Sequence, residues 1–287
     1  MSRPTRFTPE MIDAYVKSGY WTSETTLDVM EHHTRVQPNK VAIVDPQHRL
    51  SWKEVGEAVD RLAGALHGLG LDRDTPVIVQ MPNSVEDCLI RFALKKVGLL
   101  GAYLPVVWGR RELAAVIDAL KPGALIVPEH FRDINMLSIA REMKELCPQL
   151  QVVVCGAGDK SEEYMRLSSI YSGSQDSSVL PIPHSRGFDP FEVSKLVVTS
   201  GSTGVPKIVE RPEQQELLWG KGLARCLNLT SADTIGGFVP FSGGPGYFTW
   251  AGWLISGCKL VLSNGFAPKT VLSLVPSETT GRLRPCH

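Results

Sequence analysis

The chain has 287 residues, of which 43% are hydrophobic and 21% charged, so it can bury the core of one large domain or two smaller ones. Its 30 basic side chains balance 30 acidic ones, so the chain has no net charge that would attract nucleic acid or a membrane surface. The N-terminus has no apolar secretory signal, and the six cysteines include no C-x-x-C pair. We therefore expect a cytoplasmic protein with reduced cysteines that are small core residues, except for an exposed Cys286 near the end.

Helices and strands alternate along the first half of the sequence. Ser51 and Glu54 form a capping box before a helix with one apolar face, and the strand TPVIVQMP follows. Asn83, with Glu86 three residues later, predicts the start of a second helix that ends near Gly98. The next segments read as strand, helix, strand, helix and strand: AYLPVV, RRELAAVIDALKPG, ALIVP, INMLSIAREMKELC and QVVVC. Strands separated by such helices predict a parallel sheet with helices on both faces.

The alternation stops between Gly156 and Asp189, where a stretch with Ser, Gly and Pro predicts a linker. We therefore divide the chain into a first α/β subdomain, residues 1–190, and the incomplete start of a second, residues 191–287. The second is predicted to contain a helix, a strand, a turn, a buried helix and a strand: Pro212 to about Leu227, residues 235–239, SGGPG, residues 250–255 and KLVLS.

The charge-free segment from Thr234 to Cys258 is the only stretch that could mimic a membrane span. It contains two prolines and seven glycines, which would leave many backbone groups unpaired in lipid. A buried strand, loop and helix is the favoured interpretation, and no membrane span is predicted.

The segment KLVVTSGSTGVPKIVER, residues 195–211, gives the strongest functional signal. An apolar strand is followed by small residues, and glycines let backbone N–H groups face an anion while hydroxyls add donors. Lys207 adds a cation, and its charge-assisted hydrogen bonds to a phosphate would each contribute about 1.5–3 kcal/mol. The segment predicts a phosphate-binding loop, and a hairpin turn without a ligand is the alternative.

Other ligand motifs are not supported. The Walker loop requires lysine directly after its second glycine, and here Val205 and Pro206 intervene. VVVCGAGDKS is similar to a dinucleotide motif, but Ser161 replaces the third glycine. His32 and His33 are adjacent on a predicted helix and face different directions, so we expect no shared metal ion.

TSGSTGVPK resembles the phosphate-binding signature of the superfamily of AMP-forming acyl-CoA synthetases, adenylation domains and luciferases over nine consecutive residues. LSWKEVGEAVDRLAGALHGLGLDRDTPVIVQMPNS and ALKKVGLLGAYLPV resemble core motifs of this superfamily, in the expected order. GYWTSETTLDVMEHHTRVQPNKVAIVD is similar to the start of stand-alone aryl-acid AMP ligases, such as dihydroxybenzoate-AMP ligases, and of aryl- or acyl-CoA ligases. The resemblance covers Phe7 to about Val275. It implies an α/β fold with parallel-rich sheets flanked by helices, similar to the N-terminal part of the family's large domain.

The resemblance implies an acid–thiol ligase. The carboxylate of a small-molecule acid would attack the α-phosphate of ATP and give an acyl-adenylate and pyrophosphate. A thiol would then take the acyl group, either from coenzyme A (CoA) or from the phosphopantetheine of a carrier protein, and Mg²⁺ would bridge the phosphates. By match to the motif, Lys207 would stabilise phosphate charge, and the β- and γ-phosphates would be held by Thr199, Ser200, Gly201, Ser202, Thr203, Gly204 and Lys207.

FVPFSGGPGYFTW stands where the family places residues of its acyl pocket. Glycines admit a flat ring and an aromatic side chain can line it, so the predicted lining is Phe241, Gly243, Gly244 and Pro245. A tight turn before a buried helix is the alternative. Many family members carry a histidine here and a Thr-His pair after the phosphate loop. This segment has no histidine, and Pro212 and Glu213 occupy the positions of the pair. The sequence therefore does not identify the carboxylic acid that would bind.

The later motifs of the superfamily do not appear in the sequence. These are the loop with a metal-binding glutamate, the ribose-binding aspartate, the hinge and the C-terminal lid domain with its catalytic lysine. We therefore expect a truncated N-terminal half of such a ligase, with little carboxylate-dependent exchange of pyrophosphate into ATP. The alternative is a non-catalytic fragment that keeps a residual nucleotide-binding loop or associates with another protein.

Overall fold

A computed structural model describes residues 7–156, 161, 163–167, 182, 187–199, 207–263, 269, 271 and 283–285. The helices in these ranges are α1 (Pro9–Lys17), α2 (Thr26–Val36), α3 (Trp52–His67), α4 (Val85–Lys96), α5 (Arg110–Leu120), α6 (Met136–Leu146), α7 (Glu213–Leu227) and α8 (Gly244–Ser256). The strands are β1 (Val41–Val44), β2 (Arg49–Ser51), β3 (Pro76–Val79), β4 (Leu100–Tyr103), β5 (Ala124–Pro128), β6 (His130–Phe131), β7 (Ile134–Asn135), β8 (Gln151–Cys155), β9 (Met165–Arg166), β10 (Val193–Thr199), β11 (Lys207–Pro212), β12 (Thr234–Gly237), β13 (Lys259–Leu262) and β14 (Leu283–Pro285).

The larger sheet has seven strands in the order β11-β10-β4-β3-β5-β8-β9. All neighbours pair in parallel except β10 and β11, which form an antiparallel hairpin. Helices connect the parallel strands, so the predicted α/β class with a parallel-rich sheet is confirmed. The short strand β9 lies inside the predicted linker and extends this sheet beyond β8.

A second sheet has five strands in the order β14-β12-β13-β1-β2. Strands β1 and β2 were not predicted from the sequence, and β2 continues directly into α3. Each sheet takes strands from both sides of residue 190. The division of the chain into 1–190 and 191–287 stays a prediction.

One hydrophobic cluster contains residues from both sheets and from α3, α4 and α8. At its centre the rings of Trp52 and Trp253 stack with centroids 5.0 Å apart, and the Trp253 Nε1 donates to the Ala42 carbonyl at 2.9 Å. The predicted apolar face of α3 is confirmed, since Val55 and Leu62 are fully buried. This cluster therefore fixes α8 of the second half of the chain against α3 of the first.

Three local predictions were wrong in detail. Helix α4 is capped by Ser84, whose hydroxyl accepts from the Asp87 N–H at 3.3 Å, and not by Asn83. Helix α8 begins at Gly244, within the predicted SGGPG turn, because these small residues can adopt helical backbone angles. Cys226 is exposed and not a core residue. Within the described ranges no helix is both long and apolar enough to cross a membrane.

The turn between β1 and β2 contacts the start of α4 through a buried carboxylate. Asp45 accepts from the backbone N–H groups of Gln47 and His48, both at 2.8 Å, and of Val85 at 2.9 Å. The His48 Nδ1 lies 3.2 Å from the Asp45 Oδ1 and 3.9 Å from the Glu86 Oε1. The hydrogen bond with Asp45, helped by the charge of Glu86, raises the pKa of His48 although burial opposes this.

A raised pKa predicts pH-dependent stabilisation by His48. The charged imidazole stabilises the folded state below its unfolded pKa of about 6.5, and this stabilisation is lost as the pH rises through the folded pKa. We expect His48→Gln to lower the free energy of unfolding more at pH 6 than at pH 8.5. Urea denaturation measures this, with the exposed His32→Gln as control. An equal loss at both pH values would show that the ion pair is not involved.

Candidate phosphate and acyl site

The predicted phosphate residues lie at the end of the β10–β11 hairpin. Thr199 ends β10 and Lys207 begins β11, and the two residues are directly opposite each other in the antiparallel register. Both side chains are exposed. The intervening loop residues predicted to bind phosphate, Ser200, Gly201, Ser202, Thr203 and Gly204, lie outside the described residues. The hairpin therefore brings the first and last predicted phosphate residues to one place.

This end of the hairpin lies at the carboxyl edge of the larger sheet. Strand β10 runs parallel to β4, with Val197 opposite Tyr103, so Thr199 lies just beyond the end of β4. Strand β3 runs in the same direction on the other side of β4. Ligands of open α/β sheets bind outside the carboxyl ends of their strands, and the hairpin places Thr199 and Lys207 there.

The predicted acyl residues lie around the first turn of α8. Phe241 is buried, whereas Gly243, Gly244 and Pro245 are exposed. A Cβ atom on Gly244 would meet no atom within 4 Å, so the space beside this turn is open. The four residues thus lie within one five-residue segment, in which the aromatic side chain is buried and the other three residues are at the surface.

Asn83 positions the segment that leads into α8, and the sequence analysis missed this role. Its Nδ2 donates to the Gly237 and Val239 carbonyls at 2.9 and 2.7 Å, and its Oδ1 accepts from the Phe241 N–H at 2.9 Å. The conformation of this segment also requires glycine at position 246, because a Cβ atom there would lie 2.2 Å from the Pro240 carbonyl oxygen. An asparagine next to the capping serine was the available signal, but its partners are more than 150 residues away.

Close packing of α7 on α8 links the base of the hairpin to the helix that begins with the acyl segment. Helix α7 starts directly after β11, and α8 starts with Gly244. A Cβ on Gly220 of α7 would lie 2.5 Å from the Ala251 carbonyl oxygen, and one on Gly252 of α8 would lie 2.7 Å from the Leu223 side chain. Only glycine permits so close an approach of the two helices.

Strand β10 also contacts α8 directly, through a buried lysine. The Lys195 Nζ lies 2.7 Å from the centroid of the Tyr247 ring and 3.6 Å from the Glu216 Oε1. Burial lowers the pKa of Lys195 well below its usual value, although the Glu216 carboxylate opposes this. The amine therefore lies beneath the first turns of α8, where it packs against an aromatic face.

A second buried lysine joins α4 to α7. The Lys95 Nζ donates to the Glu213 carboxylate at 2.8 Å, to the Thr26 hydroxyl at 2.9 Å and to Glu216. Burial opposes the charged form of Lys95, but the two glutamates outweigh it and raise its pKa. Glu213 occupies a position of the family's Thr-His pair, yet it is only 1% exposed and faces this cluster. Sequence reasoning did not find the cluster, because its charges come from separate elements.

Comparison with known proteins gives the family of the chain. The model of the family described as AMP-binding enzyme matches residues 30–280. The chain belongs to this family. It is 25% identical to the 2,3-dihydroxybenzoate-AMP ligase of Bacillus subtilis over 95% of this chain and 50% of that protein. It is also 25% identical to the 2-hydroxy-7-methoxy-5-methyl-1-naphthoate–CoA ligase of Streptomyces carzinostaticus, over 96% of this chain and 51% of that protein.

Solved structures of this family share the fold. The apo structure of Mycobacterium smegmatis MbtA superposes with a TM-score of 0.82 at 25% identity, covering 95% of this chain and 50% of that one. An anthranilate CoA ligase, AuaEII, in complex with anthranoyl-AMP gives a TM-score of 0.72 at 22% identity over 89% of this chain and 48% of that one. The chain thus spans about half the length of these AMP-binding relatives.

The Asn83 contacts predict a specific cost of substitution. Asn83→Asp removes the donor to two buried carbonyls and puts a carboxylate in its place, so we expect a loss of about 2–4 kcal/mol in the free energy of unfolding. Urea denaturation measures it, and the same substitution at the exposed Asn39 is the matched control, with an expected change within about 0.5 kcal/mol. Equal effects of the two substitutions would remove Asn83 as a positioning residue.

Proposed function

We propose that this chain binds ATP phosphates and a carboxylic acid as part of a ligase that activates an aryl or acyl acid as its adenylate. The observation that carries the proposal is the hairpin mouth, where Thr199 and Lys207 lie side by side, exposed, at the carboxyl edge of the sheet. They delimit the segment TSGSTGVPK, which has the composition of a phosphate-binding loop. Membership of the AMP-binding enzyme family supports the same ligand.

In the proposed site the hairpin takes the phosphates. Lys207 donates charge-assisted hydrogen bonds to the β- or γ-phosphate, and the Thr199 hydroxyl adds a neutral donor. The loop residues Ser200, Gly201, Ser202, Thr203 and Gly204 supply further N–H and hydroxyl donors. Mg²⁺ accompanies the phosphates as their counter-ion. Electrostatic stabilisation of the departing pyrophosphate is the main contribution that these residues make to the reaction.

The acid binds beside the first turn of α8 in this proposal. Gly243, Gly244 and Pro245 leave open space there, and the Phe241 ring lies underneath. The relatives include ligases named for dihydroxybenzoate, salicylate and a substituted naphthoate, which are aryl acids. These names favour a flat aromatic carboxylate, although a medium-chain fatty-acid–CoA ligase is also a relative. The acceptor thiol is that of CoA or of a carrier protein, as the names of relatives of both kinds suggest.

The proposed reaction has two steps. The acid's carboxylate oxygen bonds to the α-phosphorus of ATP while the bond to pyrophosphate breaks. The thiol sulfur then bonds to the acyl carbon, AMP leaves, and the thiol proton goes to solvent or a base. Juxtaposition of the two ligands lowers the barrier of the first step by removing the entropy cost of their encounter. The packing of α7 on α8 supports such juxtaposition, because α7 follows the hairpin directly and α8 begins with the acyl segment.

Binding of pyrophosphate tests the proposal without requiring turnover. Lys207→Ala should weaken the binding of Mg²⁺-pyrophosphate about 10- to 100-fold, because one charge-assisted interaction is lost. Isothermal titration calorimetry measures the dissociation constants. The exposed lysine variant Lys53→Ala should bind like the original chain.

Two results would contradict the proposal. The first is no detectable binding of Mg²⁺-pyrophosphate or ATP by the original chain, which would leave the hairpin as a turn without a ligand. The second is equal binding by Lys207→Ala and Lys53→Ala, which would remove the lysine from the site. Robust carboxylate-dependent exchange of pyrophosphate into ATP by this chain alone would contradict the expectation of a truncated N-terminal half.

A further inference from the structure

The phosphate hairpin has an irregularity at its base. Val193 is opposite Pro212, but the next pair is Lys195 opposite Arg211, so Ser194 is an extra residue on β10. Such an extra residue is a β-bulge, which leaves one residue unpaired and increases the local twist. All the pairs beyond it, up to Thr199 with Lys207, depend on this single insertion.

The extra residue is held by the first residue of α7. The Ser194 hydroxyl donates to the Glu213 Oε2 at 2.5 Å, and the Glu213 backbone N–H donates to the Glu192 carbonyl at 3.0 Å. Glu213 directly follows β11, whereas Glu192 directly precedes β10. Glu213 thus joins the two strands at the closed base of the hairpin, with Ser194 between them.

The Glu213 carboxylate is in turn fixed from outside the hairpin. Its Oε2 accepts from the Lys95 Nζ of α4 at 2.8 Å, and its Oε1 accepts from the Thr26 N–H of α2 at 2.7 Å. Both Glu213 and Ser194 are 1% exposed, so water does not compete for these groups. The position of the Glu213 carboxylate is therefore determined by α2 and α4, two helices that do not belong to the hairpin.

Loss of the bulge would change the face on which Lys207 lies. If Val193 stayed opposite Pro212 and Ser194 paired normally, Val198 and not Thr199 would lie opposite Lys207. Opposite residues of an antiparallel pair share a face, and successive residues alternate. Lys207 would then lie on the face opposite to Thr199, and the two predicted phosphate residues would be separated.

We propose that Glu213 is a positioning residue that fixes the bulge at Ser194 and so keeps Lys207 on the same face of the hairpin as Thr199. The consequence for phosphate binding rests on the proposed function, whereas the effect on the register does not. In this interpretation Glu213, which replaces a residue of the family's Thr-His pair, fixes the register of β10 and β11. Lys95 compensates its buried charge.

Engineered disulfides report the register directly. All variants carry Cys226→Ser and Cys286→Ser, to remove the exposed cysteine and the one near the C-terminus. The first pair is Thr199→Cys with Lys207→Cys, which are opposite each other in the structure. The second is Val198→Cys with Lys207→Cys, which face each other only after a slip of one residue. A disulfide needs Cβ atoms about 3.5–4.5 Å apart, so only facing residues oxidise readily.

Each cysteine pair is then combined with Ser194→Ala or Glu213→Gln. Ser194→Ala removes only the hydroxyl. Glu213→Gln keeps the size but must direct its NH₂ group at a donor, because Thr26 donates to one carboxylate oxygen and Lys95 to the other. We expect the rate of oxidation of the 198/207 pair to rise at least about tenfold, and that of the 199/207 pair to fall. Glu57→Gln, which changes an exposed glutamate, is the control and should leave both rates unchanged.

Unchanged selectivity for the 199/207 pair in both Ser194→Ala and Glu213→Gln would overturn the proposal. Circular dichroism checks that each variant is folded, and Ser194→Ala alone decides the matter if Glu213→Gln does not fold. Titration with Mg²⁺-pyrophosphate is run separately on chains that keep Lys207. If the original chain does not bind it, the proposed function fails, whereas the oxidation rates still decide the role of Glu213.

Discussion

The buried ion pairs between Lys95 and the two glutamates of α7 are the constraint on which the candidate site depends. An isolated charge in a protein interior is so costly that each of these groups requires its partners. Lys95 comes from the helix between β3 and β4, and Glu213 begins the helix after the hairpin. The pairs therefore fix α7, and the hairpin that precedes it, against the parallel part of the larger sheet.

Helix α8 is held against α7 by two glycines and against β10 by an aromatic ring. Gly220 and Gly252 let α7 and α8 approach until one backbone touches the other, and Lys195 packs on the Tyr247 face. A lysine with a lowered pKa is less costly to bury than a charged one. Strand β10 and helices α7 and α8 are thus parts of one closely packed unit.

The chain shares the family's fold but differs from many family members in buried polar residues near the candidate site. Membership of the AMP-binding enzyme family follows from the match over residues 30–280, and the fold follows from structures that share it. The polar groups beneath the site do not follow the family pattern at Pro212 and Glu213. Glu213 is buried and paired with Lys95, so the role proposed for it is in the geometry of the strands and not in contact with a ligand.

Local patterns in the sequence predicted most helices and the parallel sheet, because apolar periodicity and capping depend on residues close together in the chain. They also predict a phosphate-binding loop between Thr199 and Lys207 from the composition of consecutive residues, and this stays a prediction. They assigned Asn83 to a helix cap, because an asparagine before a helix is usually a cap and its actual partners lie in a distant loop.

The sequence by itself thus determined the fold class and the family, and it predicted the phosphate motif. Only the tertiary structure decided that β1 and β2 join a second sheet, that Glu213 is buried against Lys95, and that Thr199 and Lys207 share a face. The physical reason is the same in each case. Strand pairing, buried charge compensation and register are interactions between segments that are far apart in the chain, so they have no local signature.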